Sequence, residues 1–144
     1  MDYPLIFYGS LMDGELVKEV CRFNPIKIEM GLIKGTLFEV TDHTEPNGIY
    51  KYPLAVLGDS GELIIAKLNV FPLNLHEFAE MRICLIDFEG PLFEPVQTTL
   101  RNFDNQEREG LVFVAKAGLR LDRDTRIKRL SSTLGVYFWN KGHI

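Results

Sequence analysis

The sequence predicts a single α+β domain covering residues 1–144, and three observations carry that prediction. Short apolar runs bounded by Gly, Pro and Asn recur along most of the chain, the pattern of strands and turns. One strongly marked helix begins near Asn74, and a second, shorter helical pattern follows Asp13. The chain has 144 residues with 46% hydrophobic and 25% charged content, which supports one core of useful size without staples.

The elements follow in order. Leu5, Ile6, Phe7 and Tyr8 read as a short buried strand that stops at Gly9-Ser10. Asp13 to Arg22 reads as a helix, with Asp13 as its cap and Leu16, Val17, Val20 and Cys21 at helical spacing. Asn24-Pro25 ends it. Ile26 to Val40 alternates loosely around Gly31 and Gly35, which predicts two strands or one bent strand. Asp42 to Gly48 is polar, with Pro46 and Asn47-Gly48, and reads as a connection. Tyr52 to Leu57 and Glu62 to Val70 read as a hairpin around Gly58-Asp59-Ser60-Gly61.

Asn74 and Glu77 form a capping box, with Leu73 and Phe78 placed as a hydrophobic staple. The spacing predicts an inner stripe of Leu75, Phe78, Ala79, Arg82, Ile83 and Ile86, and Gly90-Pro91 ends the helix. Pro95 to Arg101 and Gly110 to Ala115 read as an antiparallel pair joined by Asn102 to Glu109. Asp122 to Leu130 reads as a helix whose solvated face carries the basic cluster. Val136-Tyr137-Phe138-Trp139 reads as a packed stretch, core or pocket wall.

Composition excludes several classes. The net charge is −4 and the basic residues are dispersed, which argues against a nucleic-acid binder. The densest basic cluster, Arg120 to Arg129, is interleaved with Asp122 and Asp124. No apolar run reaches the length of a membrane helix. Met1-Asp2 opens without a basic leader, so no signal peptide is expected and a cytoplasmic location is. Cys21 and Cys84 sit among apolar neighbours and read as buried free thiols. His43, His76 and His143 share no ligand spacing with each other or with the cysteines, so no metal site is expected.

Two places carry chemistry. A strand that ends in a tight Gly9-Ser10 turn beside a helix start can hold an anion by main-chain donors. Ser10 lacks the surroundings of a nucleophile and reads as a binding residue. Glu89 is the second place. It lies at a helix C-terminus, where partial negative charge disfavours a carboxylate, and its flanks are apolar. Both effects would raise its pKa toward the range useful for proton transfer near neutrality; the plainer alternative is a surface Glu on a loop, with no shift.

Taken together these features resemble the gamma-glutamylcyclotransferase-like family, which includes gamma-glutamylamine cyclotransferases and AIG2-like proteins. Tyr8-Gly9-Ser10-Leu11 resembles the family's Tyr-Gly-Ser/Thr-Leu signature, and Gly35-Thr36-Leu37-Phe38 its Gly-x-Leu-Tyr segment. Tyr52-Pro53-Leu54-Ala55 resembles its Tyr-Pro-Ala segment, and Glu89-Gly90 the end of Leu-Asp-x-x-Glu-Gly. The order and rough spacing hold from residue 5 to about 115. The sequence departs from the pattern at Ile86, where the family has Asp, and at Phe93-Glu94-Pro95, where Tyr-x-Arg often stands.

The resemblance implies a small mixed β-barrel with flanking helices and a central cavity. It implies a cyclotransferase that converts a gamma-glutamyl amine or gamma-glutamyl amino acid to 5-oxoproline and the free amine. Glu89 would be the catalytic acid/base, and Tyr8, Gly9, Ser10 and Leu11 would bind the substrate. No cofactor is expected. The expected partner is a small molecule bearing a gamma-glutamyl group, with no nucleic acid and no membrane, on a monomer or weak dimer. The alternative is a non-catalytic module of the same fold that binds a small acidic metabolite.

Overall fold

The computed structural model describes residues 1–44 and 48–139. The expected turn at Pro46-Asn47 and the position of His143 lie outside the described residues. In chain order the described elements are β1 (Asp2–Phe7), α1 (Gly14–Cys21), β2 (Lys27–Thr44), β3 (Gly48–Leu57) and β4 (Leu63–Pro72). They continue with α2 (Leu75–Glu89), β5 (Phe93–Asn102), β6 (Glu107–Ala115), β7 (Ile127–Arg129) and β8 (Val136–Tyr137).

Five strands close on themselves. β2 pairs β5, β5 pairs β6, β6 pairs β1, β1 pairs β4, and β4 returns to β2. Only the β1–β6 contact in this ring is parallel. Closure leaves the ring itself without free edges, with β3, β7 and β8 attached outside it. The architecture is therefore a small α+β barrel with two helices at its side, as the sequence led one to expect.

The long β2 makes closure possible. Its first half, Lys27 to Lys34, pairs with β4; its second half, Gly35 to Thr44, pairs with β3. The changeover is abrupt. The Gly35 N–H donates to the Glu62 carbonyl at 3.0 Å, and the Gly58 N–H donates to the Lys34 carbonyl at 3.3 Å. β3 and β4 were expected to form a hairpin. They do not pair with each other, because β2 lies between them and each takes one half of it.

Two apolar cores result. One face of all five ring strands points inward, and Ile6, Ile33, Ile64, Leu68, Leu100 and Val112 fill the interior. The opposite faces of β1, β4 and β6, through Leu5, Phe7, Phe71 and Phe113, pack with Val17 and Cys21 of α1 and Met81 and Leu85 of α2. The period-2 alternation of the strands thus divides the apolar residues between barrel interior and helix layer.

Local signals fix both helices. The Asp13 side chain accepts from the Glu15 N–H at the start of α1. At α2 the Asn74 side chain accepts from the Glu77 N–H at 2.8 Å, and the Glu77 carboxylate accepts from the Asn74 N–H at 3.0 Å. The expected inner stripe of α2 is corrected. Met81 and Leu85 are the buried positions, whereas Leu75, Ile83 and Ile86 are exposed. Apolar residues occur all round this helix, so spacing alone did not select the buried face. Phe78 stays at the packing edge, stacked on Tyr3 with ring centroids 3.9 Å apart.

Asp122 to Leu130 is not a helix. It is a set of turns leading into β7, which pairs with the far end of β2. The Asp124 carboxylate accepts from the Arg126 N–H and from the Arg126 guanidinium. This local capture of the backbone competes with helix formation, and the sheet contact then decides the outcome. The cysteines are both free; Cys21 is buried but Cys84 is only half-buried, on neighbouring parts of α1 and α2.

Candidate active site

β1 leaves the barrel at Tyr8 and turns through a single 3₁₀ turn, Ser10–Met12. The turn closes with the Met12 N–H on the Gly9 carbonyl at 2.9 Å. The Lys67 ammonium on β4 donates to the Met12 carbonyl at 2.6 Å and ties the turn to the barrel wall. Such a turn leaves its leading N–H groups without acceptors of its own. Gly9 has φ −113° and ψ −130°, so no left-handed φ calls for glycine there. Glycine is required by close approach: a Cβ here would stand 2.7 Å from Pro53 Cγ on β3.

Tyr8 is buried and its hydroxyl is already committed. It donates to the Phe113 carbonyl at 2.7 Å and accepts from the Ala55 N–H at 3.0 Å. Burial, then the nearby Glu89 carboxylate, push its pKa upward. Tyr8 therefore joins β6 to β3 behind the turn, and its phenol is a neutral fixture of the wall.

α2 delivers the acid. Glu89 is its last helical residue, and Gly90 caps it at φ +92°, a backbone conformation that favours glycine. The chain reverses there, and β5 starts at Phe93. Glu89 has no hydrogen-bond or ion-pair partner among the described residues. It is half-buried, and burial pushes its carboxyl up to about 7. An unpartnered carboxyl in apolar surroundings is held partly neutral near physiological pH.

These two segments, far apart in sequence, face the same space. A cavity of about 210 Å³ is lined by Tyr8, Gly9, Ser10 and Leu11 on one side and by Glu89 and Gly90 on another. All five residues singled out from the sequence thus line one cavity. The structure adds Asp42, near the end of β2, and Tyr50, and it places Tyr52 and Phe93, noted in the sequence only within segments of the resemblance, at the same cavity. The Tyr52 hydroxyl donates to Asp42 Oδ2 at 3.0 Å, and Arg126 donates to Asp42 Oδ1 at 3.1 Å. Two tyrosines two positions apart on a strand were a visible signal, since they must share a face. Asp42 had no such signal, because its place depends on the β2–β3 register, Asp42 opposite Tyr50.

Elsewhere in the described residues, a wider groove of about 720 Å³ lies at another part of the barrel, with Lys34, Asp59, Arg101 and Glu107 at its edge. Its carboxylates are partnered: Asp59 by Lys34, Glu107 by Arg101 and Glu109 by the Thr99 hydroxyl. No helix among the described residues is long and apolar enough to cross a membrane.

Comparison with known proteins reinforces the fold. No family model and no curated protein matches the sequence. Solved structures do match. A solution structure of an Arabidopsis thaliana protein is similar at TM-score 0.61 and 16% identity, over 85% of this chain and 74% of that one. A structure described as a gamma-glutamyl cyclotransferase is similar at TM-score 0.53 and 11% identity, over 81% of this chain and 68% of that one. Kluyveromyces lactis urea amidolyase is similar at TM-score 0.57 and 11% identity, over 89% of this chain but only 7% of the larger enzyme. The chain thus carries the gamma-glutamyl cyclotransferase fold, a closed five-stranded barrel with two flanking helices, with the turn at Gly9 and the end of α2 facing one cavity.

Proposed function

We propose that the protein is a cyclotransferase that converts a gamma-glutamyl amine or gamma-glutamyl amino acid to 5-oxoproline and the free amine. The observation that carries this reading is the unpartnered Glu89, pushed up to about 7, in one cavity with the Gly9-Ser10-Leu11 turn. The cavity is small beside ordinary ligand pockets of roughly 300–1,000 Å³, which suits a glutamyl-sized group.

The reaction needs little more. In a gamma-glutamyl compound the α-amine is tethered within reach of its own γ-carbonyl. Holding it folded supplies much of the barrier reduction, on the order of several kcal/mol. The Glu89 carboxylate takes a proton from the substrate ammonium. The freed nitrogen lone pair attacks the γ-carbonyl carbon, and the N–C bond of the lactam forms. The oxyanion that develops is met by main-chain N–H groups of the turn. A second proton then passes from the attacking nitrogen through the Glu89 carboxyl to the leaving nitrogen, and the old C–N bond breaks. The attacking nitrogen gives up two protons and the leaving amine gains two as it departs as an ammonium, so the carboxyl ends as it began. A pKa near 7 suits a group that both accepts and returns protons.

A second reading, a binding module without turnover, is favoured by one feature. Where the resemblance leads one to expect Tyr-x-Arg, the chain has Phe93-Glu94-Pro95, and the Glu94 carboxylate is occupied by the Ala117 N–H at 3.0 Å. Among the described residues, no Lys, Arg or His lines the cavity to hold a substrate carboxylate. The deciding assay is release of 5-oxoproline from a panel of gamma-glutamyl amines and dipeptides. Release by the parent and its loss in Glu89→Gln support the enzyme. Binding of the panel with no release from any member supports the binding module.

A further inference from the structure

The turn after β1 is held at three points, and one of them is out of character for its place. Leu11 is buried in the helix-layer core, and Gly9 lies against Pro53. The third point is Lys67. Its place on β4 is fixed from both sides, opposite Phe7 on β1 and Met30 on β2. Side chains two apart on a strand share a face, so Lys67 lies in one row with Asn69 and Phe71, which are both buried. Lys67 itself is half-buried. An apolar side chain would pack well at this position, and a lysine is drawn into such a row only when its ammonium finds a partner.

That partner is the Met12 carbonyl, 2.6 Å from Lys67 Nζ. The carbonyl stands at the junction of the turn and α1, and the main chain of neither uses it. The turn closes on the Gly9 carbonyl, which accepts from the Met12 N–H at 2.9 Å, and on the Ser10 carbonyl, which accepts from the Asp13 N–H at 3.2 Å. α1 opens on the Asp13 carbonyl, which accepts from the Val17 N–H at 3.1 Å. A half-buried carbonyl left over between two elements costs stability unless something donates to it. The ammonium supplies a charge-assisted hydrogen bond, the stronger kind. Without it the junction is free to shift, and the main-chain N–H groups of the turn shift with it. Lys67 does not line the cavity, so it acts on the cavity through the turn.

We propose that Lys67 is a positioning residue, whose bond to the Met12 carbonyl sets where the main-chain N–H groups of the turn stand in the cavity they share with Glu89. The reaction served rests on the cyclotransferase reading; the positioning itself does not. Those N–H groups meet charge that develops only in the transition state, so the effect falls on kcat more than on KM. A displacement of about 1 Å is enough to cost up to about a hundredfold in rate.

The test compares Lys67→Met, which keeps an apolar stem and loses the ammonium, with Lys67→Arg, which keeps a cationic donor. Three readouts are taken: kcat and KM for 5-oxoproline release from the panel of gamma-glutamyl amines and dipeptides, amide hydrogen exchange by NMR, and the titration midpoint of Glu89. In Lys67→Met, kcat falls by about tenfold to a hundredfold while KM stays within about threefold. Exchange of the Met12 N–H becomes more than about tenfold faster, and that of Leu68 on the barrel wall keeps the parent's rate. The Glu89 midpoint stays near 7. Lys67→Arg recovers most of the kcat. A kcat unchanged in Lys67→Met, a raised KM with kcat kept, unchanged exchange at Met12, an Arg variant as slow as the Met variant, or a Glu89 midpoint that moves with Lys67→Met would overturn the positioning role. If the parent releases no 5-oxoproline, the cyclotransferase reading fails, and faster or unchanged exchange at Met12 decides the positioning alone. If the parent turns over while neither kcat nor exchange responds to Lys67→Met, the reverse holds.

Discussion

Glu62 and Glu89 are both partly exposed carboxylates on the same small barrel, and they have opposite fates. Glu62 lies just before β4 and is surrounded by donors. Its Oε1 accepts from the Thr36 hydroxyl at 3.0 Å and from Arg129, and its Oε2 accepts from the Tyr137 hydroxyl. The Tyr137 hydrogen bond, with those of Thr36 and Arg129, holds its carboxyl below the usual range. Glu89 closes α2 with no partner among the described residues, and burial alone lifts it to about 7. The donor-rich carboxylate staples β8 and β7 to the start of β4. The donor-free one is left available for protons. Burial without partners costs stability, and such strain tends to gather at functional sites.

The largest expected effect falls on the Glu89 side. Glu89→Gln keeps the shape and a hydrogen-bonding end but cannot carry a proton. Turnover should fall by about a hundredfold to ten-thousandfold, with affinity kept within about tenfold, read by 5-oxoproline release and calorimetry. An unchanged rate would remove Glu89 from the mechanism. The same comparison predicts no such loss for Glu62→Gln once the folded fraction is accounted for.

Next comes the turn that faces Glu89. Gly9→Val places a branched side chain where even a Cβ would lie 2.7 Å from Pro53 Cγ. The turn must shift, and affinity for a gamma-glutamyl ligand or 5-oxoproline should drop by more than about tenfold. In the milder Gly9→Ala variant, adding Pro53→Ala should restore part of the affinity. No restoration would mean that contact with Pro53 is not the reason for glycine.

The two carboxylates also differ in their effect on stability. A glutamate free in the unfolded chain titrates near 4.5, and folded Glu89 near 7. The folded state therefore holds the proton more tightly between those values. Stability attributable to Glu89 falls as pH rises from about 4.5 to 7 and is level beyond, a change on the order of 3 kcal/mol. Glu89→Gln should accordingly be more stable than the parent at pH 8 and similar to it at pH 4, as urea melts would read. Glu62 has the opposite sign. Its lowered pKa means its contribution is present at neutral pH and is lost as pH falls through its folded value. Glu62→Gln should lower the melting temperature at pH 7 and narrow the gap to the parent in acid. A melting temperature unchanged at pH 7 would show that the Thr36, Arg129 and Tyr137 donors do not hold the strands.

How much of this was legible follows the range of the signals. Asp13 and the Asn74–Glu77 box announced both helices, because caps are decided within a few residues. β1 and the end of α2 were readable for the same reason, and so was Glu89, whose awkward position is local. The β2–β3 and β2–β4 pairings were not, since which half of β2 meets which strand depends on closure of the ring. β7 was read as part of a helix because the basic cluster interleaved with Asp122 and Asp124 suits a solvated helix face, while the competing Asp124 turn and the contact with β2 prevail in the fold. The buried face of α2 was misjudged because Ile83 and Ile86 look as apolar as Met81 and Leu85. Asp42 reaches the cavity only through its register opposite Tyr50, so no local reading could add it.

The account depends most directly on the protonation of one side chain. Carbon-13 NMR of the glutamate carboxyl resonances through a pH titration, with Glu89→Gln to assign the signal, measures it. A Glu89 midpoint near pH 7, with Glu62 titrating below the ordinary glutamate range, is the predicted result. A Glu89 midpoint near 4.5 would show an ordinary solvated acid and would contradict its role in moving protons at this cavity.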